Sequence, residues 1–458
     1  MKSSNSKKNY EIDMCSGPIL GKMLLFAVPL MCSSILQLLF NAADVIVVGR
    51  FAGDAALAAV GSNTALINLL TNLFIGLSVG VNVLVSRYSG AKQGKDIEET
   101  VHTAMLLSML SGGLIMAAGC LGAKQILIWM KTPEDVLPLS TLYLRIYFLG
   151  MIACMVYNFG SAILRAVGDT KRPLYYLTAA GIVNVILNLI FVILFRLSVA
   201  GVGMATVISQ TISAVLILRC MMRETGFIHL EPRRLRICRD KLVKILQIGL
   251  PASLQSMVFS FSNVIIQASV NSFEAVVVAG NSAASSIEGF VYVAMNAFYQ
   301  ASISFTGQNV GAGKYERINR ILYTAQGCVI CVGLALGNAA VYFGPQLLRI
   351  YTSSPAVVTA GLDRLQVIAG TYALCGIMEV IVGSLRGMGC SVIPMISSLV
   401  GACGLRLFWI FTFFRMERFH TLTSLYLTYP VSWIVTTAAH ILCFVMVRKR
   451  IGKMAAVK

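Results

Sequence analysis

Hydrophobic residues in this chain run in long blocks rather than alternating with polar ones. Runs such as 23–48, 55–85, 174–195 and 431–447 approach or exceed the ~20 residues a helix needs to cross ~30 Å of hydrocarbon. The blocks predict twelve membrane helices, at about 23–48, 55–86, 101–123, 139–163, 174–195, 201–222, 245–270, 275–306, 321–343, 361–385, 394–414 and 425–447. Half of this pattern repeats the other half. Leu164-Arg165-Ala166-Val167-Gly168 returns as Leu385-Arg386-Gly387-Met388-Gly389, 221 positions on, and Pro173 returns as Pro394. Gly90-Ala91 returns as Gly311-Ala312 at the same spacing, while Pro29 and Asn41 align with Pro251 and Asn263 at 222. Six helices per copy is an even number, so the second copy enters the membrane from the same side as the first. The predicted fold is an all-α integral membrane protein of two parallel six-helix repeats, related by a pseudo-twofold axis along the membrane normal. The segments are an N-terminal stretch 1–22, a lobe 23–222, a basic connector 223–244, a second lobe 245–447 and a tail 448–458.

Composition agrees: 57% of residues are hydrophobic, only 12% are charged, and the mean hydropathy is +0.79. Soluble domains carry about a quarter charged residues. A net charge of +18 would suggest nucleic acid in a soluble protein, but its placement points to topology. Most of the 37 Lys and Arg fall on alternate loops, the side that also holds both termini, Arg165, Arg386 and the Arg219–Lys244 connector. By the positive-inside rule that side is cytoplasmic, as expected for a multi-pass protein of the inner (plasma) membrane. No nucleic-acid partner is expected. Residues 1–22 are polar and basic without a cleavable apolar core, so the first helix itself would direct insertion.

Other chemistry is excluded by context. Most of the twelve cysteines lie in apolar helices, where Cys acts as a small hydrophobe. The four histidines show no metal-ligand spacing, so no metal and no cofactor are expected. Gly90-Ala91-Lys92-Gln93-Gly94-Lys95 lacks the order and the preceding strand of a phosphate-binding loop. With no recognisable nucleophile, the chain is not expected to be an enzyme. Duplicated bundles of this kind rock about a shared central site, which implies a transporter driven by an ion gradient or by its substrate's own gradient.

Charged side chains inside helices are functional candidates, because an ionised group at the bilayer centre costs roughly 2.5–3.5 kcal/mol on insertion scales. Four stand out: Asp44, Glu288, Glu379 and Arg406. Asp44 shares a helix face with Asn41, and Asn184 and Asn188 are four apart on the fifth helix. A carboxylate among amides could bind a proton or a small cation, H+ or Na+. In the second lobe, Arg406 is expected to pair with either Glu288 or Glu379, leaving the other acid free. Substrate-lining candidates are Phe40, Phe261, Tyr292, Met295 and Tyr299, because aromatic faces beside carboxylates suit lipophilic cations.

These residues resemble a known family along essentially the whole chain. Pro29, Asn41-x-x-Asp44 with Val48-Gly49, Ile163-Leu164-Arg165-Ala166-Val167-Gly168-Asp169 and Pro173 carry the likeness in the first half. Gly307-Gln308-Asn309-Val310-Gly311-Ala312-Gly313 and Gly383-Ser384-Leu385-Arg386-Gly387 carry it in the second. The set resembles the multidrug and toxic compound extrusion (MATE) transporters, closer to their DinF-like branch. The resemblance implies two six-helix lobes with a central cleft, and export of small organic, often cationic, compounds in antiport with H+ or Na+. It implies a first-lobe cation or proton site at Asp44, Tyr143, Asn184 and Thr206. The second acid of that site falls on Asn188, and the second-lobe acids of the NorM-like branch fall on Phe259 and Cys375, with Glu379 one turn beyond. A lipid-linked precursor flippase is the alternative, disfavoured by the mainly acidic intramembrane charges. One chain holds both lobes, so a monomer in membrane lipid is expected.

Overall fold

The computed structural model describes residues 10–130 and 132–456. Residues 1–9, with Lys2, Lys7 and Lys8 of the expected N-terminal segment, and residues 457–458 of the tail lie outside the described residues. Among the described residues, ten helices are long and apolar enough to cross a membrane, and twelve spans result when each of two bent pairs counts as one. The first lobe comprises α1 (Ile19–Phe51), α2 (Asp54–Gly90), α3 (Gly94–Trp129), the bent pair α4 (Leu137–Leu149) and α5 (Met151–Ala166), α6 (Lys171–Leu189) and α7 (Ser198–Arg223). The second comprises α8 (Arg239–Val270), α9 (Ala275–Gly311), α10 (Glu316–Tyr342), the short α11 (Gly344–Arg349), the pair α12 (Pro355–Val367) and α13 (Ala373–Gly387), the span α14 (Val392–Ser398) to α15 (Leu405–Phe411), and α16 (Leu422–Ala456). The connector is shorter than expected, since α8 already begins at Arg239.

The sequence repeat is also a repeat of backbone irregularities. Bends of 45° and 42° fall in the fourth span of each lobe, at Gly150 and just before Ala373. Gly168 and Gly389, 221 apart, both take positive φ (95° and 82°) in the turn after Leu-Arg. Lys92 (φ 55°) matches Gly313 (φ 70°) at the same spacing, so the first copy forces a lysine into a left-handed turn that the second gives to glycine. The fifth span of each lobe widens into a π-helical stretch, Ile190–Leu194 and Leu399–Gly404. Such stretches collect at functional sites, and both flank the polar centres described below.

The lobes close on each other at their basic end through glycines. A Cβ on Gly90 would lie 1.9 Å from the Gln308 carbonyl oxygen, and one on Gly311 would lie 1.9 Å from that of Arg87. Gly80 faces the Ile245 carbonyl and Gly76 faces Ser253 at similarly close range. Only residues without side chains let α2 run this tightly against α8 and α9. The lobes also exchange first helices. Met23, Phe26, Ala27 and Leu30 of α1 are buried in the second lobe's core, whereas Val47 and Val48 belong to the first. Phe26 meets Phe305 of α9 edge to face, with centroids 5.8 Å apart.

The N-terminal segment is not free at the surface. Ile12 packs on Gly168 of the first lobe, and Met14 is fully buried. Asn309 donates its side-chain amide to the Met14 carbonyl (3.0 Å), Lys314 donates to that of Cys15 (2.9 Å) and Arg317 to that of Gly17 (3.1 Å). Residues 12–17 thus strap one lobe to the other where they meet.

Candidate functional site

Two polar centres interrupt the apolar core, one per lobe. In the first, the Asn188 side-chain amide donates both to the Asp44 carboxylate and to Asn184 Oδ1 (3.3 Å). Thr206 lies beside Asp44 with its hydroxyl donating to the Val202 carbonyl of its own helix (3.0 Å), and Tyr143 is buried close by. Asn184 and Asn188 are buried because they sit one turn apart on the inward face of α6, just before its π-helical stretch. Asn188 Oδ1 is buried without a partner among the described residues. The cluster therefore offers carboxylate, amide and hydroxyl oxygens, the hard donors that suit a proton or a small cation. Asn41 does not join it: the residue is exposed. Phe40, one turn before Asp44, packs beside the cluster, its ring seated on Gly181 between α1 and α6, and is not among the residues lining the second-lobe cavity.

The second centre lines a cavity of about 620 Å³ between α8, α9, α12, α13, α15 and α16, floored by Asn72, Gly76 and Val79 of α2. Here the charge pairing differs from expectation. Glu288 does not pair with Arg406 but with Arg364, in a two-pronged contact: Nε to Oε1 at 3.0 Å and Nη2 to Oε2 at 2.7 Å. The third edge of Arg364 donates to Asn281 Oδ1 (2.6 Å). A fork meeting a carboxylate this way is the strong geometry for a buried ion pair. Arg364 is hidden in the sequence because Asp363-Arg364 sits near the start of its span and reads as a solvated helix end.

Arg406 instead lies over the ring of Tyr429 (4.2 Å to the centroid) and near Trp433 (5.7 Å), with Nε donating to Ser432 Oγ (2.8 Å). Arg386, assigned by sequence to the basic loops, is buried in the same cavity, donating to the Tyr299 hydroxyl and to Gln255 Oε1 (2.8 Å). Glu379 lines the cavity with no ion pair among the described residues. Three guanidiniums thus face two carboxylates, and the expectation of a mainly acidic interior is overturned. Of the substrate-lining candidates, Tyr292 and Tyr299 line the cavity. Met295 does not: it is buried inside the lobe, its sulfur filling the space left by Gly333 and Gly376. Phe261 is exposed on α8 and is not among the cavity-lining residues.

The sequence model of the MatE family matches residues 29–190 and again 251–412, once per lobe. The chain belongs to the MatE family. A probable multidrug resistance protein of Bacillus subtilis, YpnP, is 30% identical over 399 residues, covering 87% of this chain and 88% of its own. A second from the same organism, YoeA, is 26% identical over 90% and 91% of the two chains. Among solved structures, the outward-facing conformation of a multidrug resistance MATE family transporter superposes with a TM-score of 0.86 at 22% identity, covering 98% of this chain and 99% of that one. The chain is a multi-pass membrane transporter of two six-helix repeats, not an enzyme.

Proposed function

We propose that this MatE transporter exports small organic compounds from the cell by alternating access, in exchange for H+ or Na+ bound at Asp44. The observation that carries this reading is the Asp44–Asn188–Asn184 chain, with a buried, unpartnered amide oxygen beside a carboxylate inside a membrane helix. The basic end, where the lobes close, faces the cytoplasm by the positive-inside rule. The second-lobe cavity then opens outward, ready to release its cargo. A cationic group on the cargo meets Glu379 and the faces of Tyr292 and Tyr299. Loading of Asp44 from outside changes the packing of α1 against α6, and the ion leaves to the cytosol as the lobes rock back. Inward movement of one charge down ~100 mV supplies about 2.3 kcal/mol to the exchange. One chain supplies both centres, so the monomer is the working unit.

The test is efflux of a fluorescent organic cation from liposomes holding the purified protein, with pH and sodium gradients imposed separately. Gradient-driven movement that disappears in Asp44→Asn supports the reading and names the ion. Normal coupled efflux by Asp44→Asn would overturn it. Transfer of a lipid-linked sugar in place of dye movement would make the chain a flippase.

A further inference from the structure

The two carboxylates and three guanidiniums around the second-lobe cavity are not equivalent. Arg364 commits all three edges of its fork to Glu288 and Asn281. Arg386 leaves its buried Nε without a partner but has both terminal nitrogens bound, to Tyr299 and Gln255. Arg406 is met less fully. Its side chain is 3% exposed, its Nη2 is buried with no partner, and its one hydrogen bond runs from Nε to the neutral Ser432 hydroxyl. No carboxylate lies within ion-pair distance of it among the described residues. A buried guanidinium with unmet donors is an arrangement that proteins rarely leave standing, because the missing partner costs more than an ordinary hydrogen bond gains.

Its surroundings are built for a ligand. The residue lines the cavity, with Tyr429 and Trp433 flanking it and Tyr372 stacked edge to face on Trp433 (5.4 Å). The π-helical stretch Leu399–Gly404 ends two residues before it, the same device that accompanies Asn184 and Asn188 in the other lobe. The rings alone would hold the guanidinium in place, and a purely structural role would end there. They do not satisfy Nη2, and they give the cavity a flat aromatic wall beside a positive charge.

We propose that Arg406 is the anion-accepting subsite of this cavity, so that the compounds carried include aromatic molecules bearing a carboxylate or another oxyanion group. The oxyanion accepts from the free edge of the Arg406 fork while the ring system packs beside Tyr429 and Trp433. This deepens the export reading and rests on the cavity being the cargo site. With Glu379 on the same cavity, one molecule can present a cationic group to the acid and an anionic one to Arg406. The substrate class is then aromatic zwitterions and organic anions as well as cations.

The experiment uses two dyes that differ only at one group: rhodamine 110, a free carboxylic acid, and rhodamine 123, its methyl ester. Binding to the purified full-length protein is measured by fluorescence anisotropy. Wild type should bind the acid roughly tenfold to a hundredfold more tightly than the ester, the range of a hydrogen bond to a charged group. In Arg406→Gln that preference should vanish because the acid binds more weakly while the cationic ester, freed of a like charge, binds no more weakly than before, a result no scaffold role would produce. Equal affinities in wild type, or a preference that survives in Arg406→Gln, would overturn the proposal. A competition measurement on wild type alone needs no variant to fold. Benzoate should displace rhodamine 110 where neutral benzamide does not, and equal displacement counts against the subsite. Gradient-driven efflux of rhodamine 123 from liposomes is scored separately, so a failed export reading is distinguishable from a failed anion subsite.

Discussion

A methyl group added at Gly311 should force the two lobes apart at the basic end. Its Cβ would stand 1.9 Å from the Arg87 carbonyl oxygen, where real Cβ atoms essentially never come within 3.0 Å. The backbones of α2 and α9 must therefore separate by about an ångström, and neither can yield by rotating a side chain. Overpacking of this kind costs roughly 1–3 kcal/mol. The cost falls only on the conformation closed at this end, because once the lobes part the methyl group meets nothing from α2. A differential of that size shifts the equilibrium about 5–150-fold toward the state open at the basic end. Gly90→Ala should do the same through Gln308, since the crossing is symmetrical. The assay is electron–electron distance measurement between nitroxides at Lys95 and Arg320, in a background freed of native cysteines. Both variants should gain a longer-distance population that wild type lacks. Gly113→Ala, whose Cβ meets nothing within 4 Å, serves as the control. If all three variants keep the wild-type distribution, the glycine crossing does not set the closed state.

Arg364→Gln should destabilise the second lobe strongly, because it leaves Glu288 buried without its partner, at a cost of about 3–5 kcal/mol. Melting of the detergent-solubilised protein should show a large drop, and adding Glu288→Gln should recover part of it. Removing residues 10–17 should speed maleimide labelling of a cysteine at position 308, which the strap now covers through Cys15. The strap should also weaken in acid. The Ser16 hydroxyl, with help from the Cys15 N–H and Lys22, holds the Asp13 carboxyl below its ordinary value of 3.8. A carboxyl depressed on folding stabilises above that value and loses its effect as pH falls through the lower, folded one. Cleavage of the strap by pepsin, which works in acid, should accelerate as pH falls below 3.8 in wild type and show no such step in Asp13→Asn.

The repeat and the span count are legible because a lipid environment writes itself into the sequence as apolar blocks and glycine turns. Asp44, Asn184 and Asn188 are legible for the same reason: polar groups in such blocks need a cause. Which partner a charge takes is not. Arg406 looks like the partner of Glu288 or of Glu379 because all three interrupt apolar runs, yet Arg364, just inside what reads as a polar helix start, takes Glu288. Arg386 is hidden by its own repeat, since the Leu-Arg-x-x-Gly turn places it next to basic loops. Periodicity also fails to orient a helix that is apolar on every side. Met295 and Tyr299 are one turn apart on α9, and only the glycines of α10 and α13 decide that the first is packing and the second faces the cavity.

The exchange of first helices has a consequence for biogenesis. Phe26, made early, has its ring partner in Phe305, and Met23, Ala27 and Leu30 bury against surfaces that exist only after α9 and α10 have been synthesised. The opening helix must therefore enter the bilayer and wait, half-docked, while most of the chain is still on the ribosome. A chain ending at the connector would leave that apolar stripe without a home, as would a second half made alone, whose Ile245 sits in the first lobe's core. Two identical half-length chains could each have lent the other this helix. A single polypeptide carrying both copies joins what would otherwise need an obligate pair, and each half made alone would expose the apolar surface that the other now covers.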